Sequence, residues 1–430
     1  MRTRLVVLSL VAGCVTLTFS LLQGQERTPE PGSAPAAAPA PQPTAPTAPL
    51  APPRDLSQLS KLQQQMLFTA QRGADWLFRM HGVKGRFLPG YNPALKQPLE
   101  GDNFLHQAGA AAALAQAARF IGEERYAARA TQALLALLED TATDPTDSLS
   151  RYTTLPPVVV NRVGAAGQLV LAIHDLPAPQ KDLADRAEEL TRYIARSAQA
   201  DGSLRYQFGD GFAKPDEGMN VYPGLGLAAL ARSHRARPAP WKLDLVRKAL
   251  PVYRAWWKQQ RSTDFVPRQS EAFAEAYLAC RDRTLADFVF EMNDWVCSLQ
   301  YTQIDPRRMY WYGGFMSWRD NRPIESEPLV HGAALAEGLV QAARIAREVG
   351  DVERFTRYSE ATERCLQFLA TLQYTEAGTQ HFVAWYRPQL VGGFHASTQD
   401  GNLRLDYNQR AVAVLLGYLE HIATAGKSGR

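Results

Sequence analysis

The chain has 430 residues, 46% hydrophobic and 21% charged, with 47 basic against 43 acidic side chains. Such a composition belongs to a globular protein with a sizeable core, arranged as one large domain or two ordinary ones. A net charge of +4, with no basic run longer than a pair, leaves no electrostatic footprint for nucleic acid and argues against that class of partner.

Residues 1–24 read as a targeting segment. Met1-Arg2-Thr3-Arg4 is a basic start, and Leu5 to Leu22 is apolar without a charge. A cleaved signal peptide is the favoured reading, and an uncleaved anchor is the alternative, since a run of this length can span a bilayer. Val11-Ala12-Gly13-Cys14 resembles a lipoprotein box that would lipidate Cys14, although the apolar run continues past that cysteine. The protein is therefore expected to be exported, to the periplasm or cell envelope, and to meet a membrane only through this segment. Residues 25–54 form a Pro/Ala-rich linker: Pro29 to Pro53 holds ten of the chain's 28 prolines and no apolar face. Such a stretch cannot offset the entropy of folding and behaves as an extended spacer.

The folded part is expected over 55–424, with 425–430 as a tail. Helices come in pairs, one amphipathic and one nearly all apolar. Amphipathic members fall near 57–80, 123–139, 180–199, 242–260, 283–300 and 351–373. In the third, Leu183, Ala187, Leu190 and Ile194 line one face, while Asp185, Arg186, Glu188, Glu189 and Arg192 line the other. Apolar members fall near 103–120, 161–174, 219–234, 269–281, 330–348 and 406–423. The first, Asp102 to Ala118, is built of small residues interrupted only by Gln107 and Gln116 after His106. A helix that is apolar on every side is buried on every side. Apart from Cys14, the cysteines are Cys280, Cys297 and Cys365, too sparse a set for a disulfide framework. A Cys280–Cys297 bridge is the one pairing to consider, and Cys365 shares a helical stripe with Tyr358, Phe368 and Leu372.

Connections alternate as the helices do. Passage from an apolar to an amphipathic helix takes a few residues, as at Gly122-Glu123, whereas the return is long, as over Tyr301 to Leu329 and Tyr374 to Arg404. All long loops thus lie on one face. Twelve helices in two concentric rings make an all-α (α/α)6 toroid. An open solenoid of tetratricopeptide or HEAT type is the rival, but its repeats are shorter and do not alternate in this way.

This pairing resembles the six-hairpin toroids of glycosidases, uronate epimerases and polysaccharide lyases, and also the terpenoid-cyclase toroids. The closest resemblance is to the helical domain of glucuronyl C5-epimerase-like proteins. It is carried by Gln107-Ala108-Gly109 in the first apolar helix and by Gly392-Gly393-Phe394-His395 with Arg404-Leu405-Asp406-Tyr407 near the end. The chain lacks the Asp-x-Asp-Asp acid motif of squalene cyclases, and Leu204 follows Gln199-Ala200-Asp201-Gly202-Ser203 where the cyclase repeat has tryptophan. No cysteine–histidine pairing offers zinc ligands, which counts against prenyltransferase or lanthionine-cyclase sites; no metal and no cofactor is expected.

In such a ring the starts of the apolar helices and the long loops converge on one mouth, where free N–H groups and the helix dipole favour anions such as uronate carboxylates. The polar residues at these starts are Asp102, Asn103 and His106; Asn161 and Arg162; Asp216, Glu217, Asn220 and Tyr222; Glu271; Glu325, Glu327 and His331; Asp406 and Tyr407. Asp102 and Asn161 also suit ordinary N-caps. Glu325 with Glu327, or Asp102 with Asp406, would serve as the acid and base of glycoside hydrolysis. Tyr407, His395 and Arg404 would serve as the acid, base and cation of a uronate lyase or epimerase. Alternatively Arg404 and Asp406 pair to pin the last loop, and His395 is structural. Trp311, Tyr312 and Trp318 lie in a stretch dense in rings, which suits stacking against sugar faces. The expected function is an exported carbohydrate-active protein: a glycoside hydrolase, a uronate lyase or epimerase, or a non-catalytic toroid binding a glycan or peptide.

Overall fold

A computed structural model describes residues 59–206 and 215–423. The signal segment, Cys14, the proline tract and the C-terminal tail lie outside the described residues, as do the side chains of Asp216 and Glu217.

Twelve long helices are present among the described residues. The outer set is α1 (Lys61–Met80), α3 (Glu124–Leu138), α5 (Lys181–Arg196), α7 (Pro240–Gln259), α9 (Arg283–Ser298) and α11 (Val352–Thr371). The inner set is α2 (Phe104–Ile121), α4 (Arg162–Asp175), α6 (Pro215–Ala236), α8 (Val266–Cys280), α10 (Gly332–Glu348) and α13 (Leu405–Tyr418); α12 (Arg387–Leu390) is a single turn in the last loop. Each inner helix packs on the next, from α2 through α4, α6, α8 and α10 to α13, and α13 packs back on α2. The ring is closed, and the chain folds as an (α/α)6 toroid.

Local chemistry sets the helix limits. Ser60 opens α1 with a capping box, its hydroxyl accepting from Gln63 N–H at 3.3 Å while the Gln63 side chain accepts from Ser60 N–H at 3.0 Å. Asn103 caps α2 and Asn161 caps α4, so both asparagines satisfy free helix-start amides. Gly122 ends α2 in the left-handed conformation. In α2 every residue from Gln107 to Ala115 is buried, as an inner ring requires. At the closing seam, Gly109 faces Gln409 so closely that a Cβ on Gly109 would lie 2.5 Å from the Gln409 amide.

The sequence periodicity placed inner starts late at two positions. Helix α8 begins at Val266 rather than near 269, with Pro267 in its first turn, and α6 begins at Pro215 rather than 219. Proline is favoured in a first helical turn, where no amide partner is lost. The last inner helix ends at Tyr418 and continues as a π-helical turn, Leu419–Ala423. Cys280 and Cys297 are free thiols, so the bridge between them is not formed, and Cys365 is a buried thiol.

The long loops also carry short strands that the helical periodicity did not reveal. Strands β3 (Thr141–Asp144) and β4 (Asp147–Thr153) form a hairpin, as do β5 (Ser317–Arg319) and β6 (Arg322–Ile324). The third sheet joins the first long loop to the last: β1 (Gly90–Asn92) lies between β2 (Gln97–Pro98) and β7 (Leu403–Arg404), all antiparallel. Gly90 pairs with Arg404 at a φ of 147°, and a Cβ there would collide with the Leu403 carbonyl. Only glycine permits this approach, and it sets Arg404 at the start of α13.

Candidate active site in the mouth of the ring

At the start of α13, Arg404 reaches forward to Asp406 with two parallel hydrogen bonds, Nε to Oδ1 at 3.0 Å and Nη2 to Oδ2 at 2.8 Å. This is the forked geometry that suits guanidinium to carboxylate. The same guanidinium lies over the Tyr407 ring, 4.7 Å from its centroid. From the start of α2, His106 Nε2 stands 3.9 Å from Oδ2 of Asp406. Asp102, His106, Arg404 and Asp406 together wall a cleft of about 260 Å³. Asp102 is held there by Gln107 at 2.8 Å and Arg86 at 3.5 Å.

The Tyr407 ring also meets His331, with ring centroids 6.2 Å apart. His331 Nε2 in turn lies 3.3 Å from Oδ1 of Asp264, just before α8. Two imidazole–carboxylate pairs, from four different inner-helix starts, therefore flank one phenol. Arg404 Nη1 makes no hydrogen bond or ion pair with another described side chain, which leaves an N–H group for a ligand.

Electrostatics divide these groups into two roles. Burial would push the Asp406 carboxyl up, but the Arg404 hydrogen bonds and nearby His106 prevail and hold it below the ordinary range. The hydrogen bond from His331 holds Asp264 below its usual value against the effect of burial. Both carboxylates are thus ionised at neutral pH. Burial lowers the pKa of His106, with partial opposition from Asp406, so its imidazole is neutral at pH 7 and able to accept a proton. Burial raises the Tyr407 phenol, which stays protonated.

Below the mouth, salt bridges cross the ring around a cavity of about 100 Å³. Arg410 pairs with Glu337 at 3.1 Å and Arg268 with Glu271 at 2.8 Å. One storey lower, Arg232 meets Asp175, Glu271 and Glu275 at 2.7, 3.3 and 3.5 Å, and Arg344 meets Glu275 at 2.9 Å. Burial alone would raise Glu275, yet Arg232, Arg344 and Arg235 hold it at about 2. A buried charge is tolerable only when paired in this way. The mouth is consequently a bowl with a salt-bridged floor.

The remaining residues singled out from sequence lie elsewhere. His395 hydrogen-bonds the Ser397 carbonyl at 2.6 Å and packs on Tyr374. Glu327 accepts from Thr398 and from the Gln399 amide, joining two long loops. Glu325 pairs with Arg308 at 2.9 Å. Trp311 lies beneath Arg308 and against Tyr301, next to Tyr312. Trp318 sits edge-on to Trp295 of α9, 5.0 Å away, so this ring rests on an outer helix. At the starts of α4 and α6, Arg162 covers Tyr152 at 4.8 Å, Tyr222 packs near Tyr206, and Asn220 is half-buried. Glu271 belongs to the floor. Sequence reasoning missed Asp264, Arg268, Glu337 and Arg410. Recognising Pro267 as a first-turn proline would have moved the start of α8 back and exposed Asp264 as a helix-start acid.

No protein-family model and no curated protein matches the sequence. Solved structures match in fold. Unsaturated glucuronyl hydrolase from Bacillus sp. GL1 aligns with a TM-score of 0.61 at 15% identity, over 84% of this chain and 98% of that chain. Cellobiose 2-epimerase from Bacillus thermoamylovorans aligns at 0.60 and 12%, over 81% and 96%. An inactive variant of an α-1,6-mannanase from Salegentibacter sp., in complex with α-1,6-mannotriose, aligns at 0.56 and 10%, over 82% and 98%. The chain shares the (α/α)6 toroid fold with these proteins.

Proposed function

We propose that this toroid is an exported carbohydrate-active enzyme that removes the proton next to a uronate carboxylate, as a polysaccharide lyase or uronate epimerase does. Export is supported by the basic start and the apolar run Leu5 to Leu22, and a carbohydrate ligand by the company of the fold. One observation carries the choice of chemistry: two acids of the mouth are held below the ordinary carboxylate range, Asp406 by Arg404 and Asp264 by its hydrogen bond with His331. Glycoside hydrolysis needs one carboxyl with a raised pKa to protonate the leaving oxygen. Proton abstraction needs a neutral base, a protonated acid and a cation for the developing enolate, and His106, Tyr407 and Arg404 meet those needs.

The step runs as follows. The C5–H bond breaks, its proton passes to the His106 imidazole, and the electron pair moves into the carboxylate, where Arg404 stabilises the added charge. In a lyase the pair then forms the C4–C5 double bond as the C4–O bond breaks, with Tyr407 protonating the leaving oxygen. In an epimerase Tyr407 returns a proton to the opposite face of C5.

The test is a panel of acidic polysaccharides, followed by ultraviolet absorbance for the new double bond and by incorporation of solvent deuterium at C5. His106→Gln and Tyr407→Phe are expected to lower either signal by about 10²–10⁴-fold without loss of folded protein. New reducing ends with neither unsaturation nor deuterium would assign hydrolysis instead. Two variants as active as the parent would remove the mouth from the chemistry.

A further inference from the structure

The cavity beneath the mouth is narrow and polar. It extends down α13 from Gln409 to Gly417, about 12 Å at the helical rise. Gly109, Ala112 and Ala113 of α2 and Ala413 of α13 carry side chains small enough to leave this space. Its upper end lies close under the candidate site. Gly109 and Gln409 follow His106 and Asp406 by three residues, about 4.5 Å along each helix.

The wall holds more hydrogen-bond donors than the protein itself uses. Gln168 of α4, Gln341 of α10 and Gln409 of α13 line the cavity and make no side-chain hydrogen bond with a described residue. Gln168 is only 5% exposed and Gln409 only 7%. The amide oxygens of Gln341 and Gln409 are enclosed without a partner, which leaves their NH2 groups for the cavity. On the same wall, Arg410 bonds through Nη1 alone, to Glu337 at 3.1 Å, and Arg268 through Nη1 alone, to Glu271 at 2.8 Å. Buried donors without a partner are costly, so the cavity favours an occupant that accepts hydrogen bonds.

Charge points the same way. Among the described residues, the ion pairs of the floor join six arginines, with Arg119 and Arg235 counted, to five carboxylates. Burial lowers the Arg410 pKa although Glu337 opposes it, and Arg268 adds to the fall, so this guanidinium is incompletely neutralised. Size limits the occupant. A cavity of about 100 Å³ is smaller than the ~150 Å³ that holds benzene, and a sugar ring with its hydroxyls does not fit. We propose that the cavity binds one small monovalent inorganic anion, of chloride size, between the amide NH2 groups of Gln168 and Gln409 and the guanidinium of Arg410. Water alone satisfies the amides but leaves the surplus positive charge unmet. The site is independent of the chemistry assigned to the mouth.

Thermal unfolding of the full chain tests this at pH 7 and fixed ionic strength, with sodium chloride replacing sodium gluconate, whose anion is too large for the cavity. The parent midpoint is expected to rise by about 2–4 °C as chloride replaces gluconate, and bromide to act alike. Gln168→Glu places a carboxylate of the same shape where the anion would sit. That variant is expected to unfold in gluconate no lower than the parent and to lose the chloride response. Gln168→Met, which keeps the volume and removes the amide, is expected to fold and to respond to chloride more weakly. A parent midpoint that ignores chloride would show that the cavity holds water alone. Destabilisation of Gln168→Glu with the chloride response intact, or a full response in Gln168→Met, would place any bound anion elsewhere and overturn the proposal.

Discussion

Asp406 ties the candidate site together at the scale of single residues, because its Oδ2 accepts from Arg404 and lies 3.9 Å from His106 Nε2. Its charge has a measurable consequence. It opposes the burial that lowers the His106 pKa, so Asp406→Asn removes a contribution that favours the imidazolium. The His106 pKa then falls further, and the acid limb of kcat/KM against pH, where a protonated base is inactive, moves to lower pH. An acid limb that stayed in place or moved upward would show that another group is the base. Arg404→Lys is expected to cost more than its conserved charge suggests. Lysine cannot reproduce the paired bonds to Asp406 or lie flat on Tyr407.

For individual elements, the informative place is the seam where α13 meets α2. Gly109 and Gln409 share one volume there. Gly109→Val therefore forces the Gln409 side chain aside and is expected to destabilise the fold by about 1–3 kcal/mol in urea unfolding. In a Gln409→Ala background the same change should cost clearly less, giving a non-additive cycle. Strict additivity would mean that the two helices do not press on one another, and the ring would be open. The helices themselves were legible in the sequence because a burial pattern repeats every turn: the apolar stripe of Leu183, Ala187, Leu190 and Ile194 is buried in α5, and α2 is buried almost throughout. Strands β1 and β7 were not legible. Two or three residues paired across more than 300 positions of chain carry no periodic signal.

On the scale of the whole ring, the floor links the protein's stability to pH. His174 and His421 both lie against this charged interior, and burial, the larger cause, lowers each to about 4. An unfolded chain binds protons at these histidines once the pH falls below about 6.5, whereas the folded ring does not until about 4. Between those limits the unfolded state holds more protons, so stability falls as the pH is lowered, by a few kcal/mol for the pair. Unfolding free energy measured from pH 7 to 4 is expected to slope accordingly, and a His174→Gln, His421→Gln double variant to flatten the slope. A double variant with the parent's slope would assign the effect to other groups.

Alternation of apolar and amphipathic helices, and of short and long links, was enough to specify twelve helices in two layers, since each helix records its burial in its own spacing of side chains. The same logic marked Asp102, His106, His331, Asp406 and Tyr407 as polar residues at inner-helix starts, the positions that face the mouth. Loops have no such record. Their path is decided by distant partners, so only the folded ring shows Trp318 lying on an outer helix, Trp311 beneath Arg308, Glu327 joining two loops, and Asp264 meeting His331. The side chains' identities were present in the chain from the start. Their radial position was not, because it depends on contacts between residues far apart in sequence that form only when the last inner helix returns to the first.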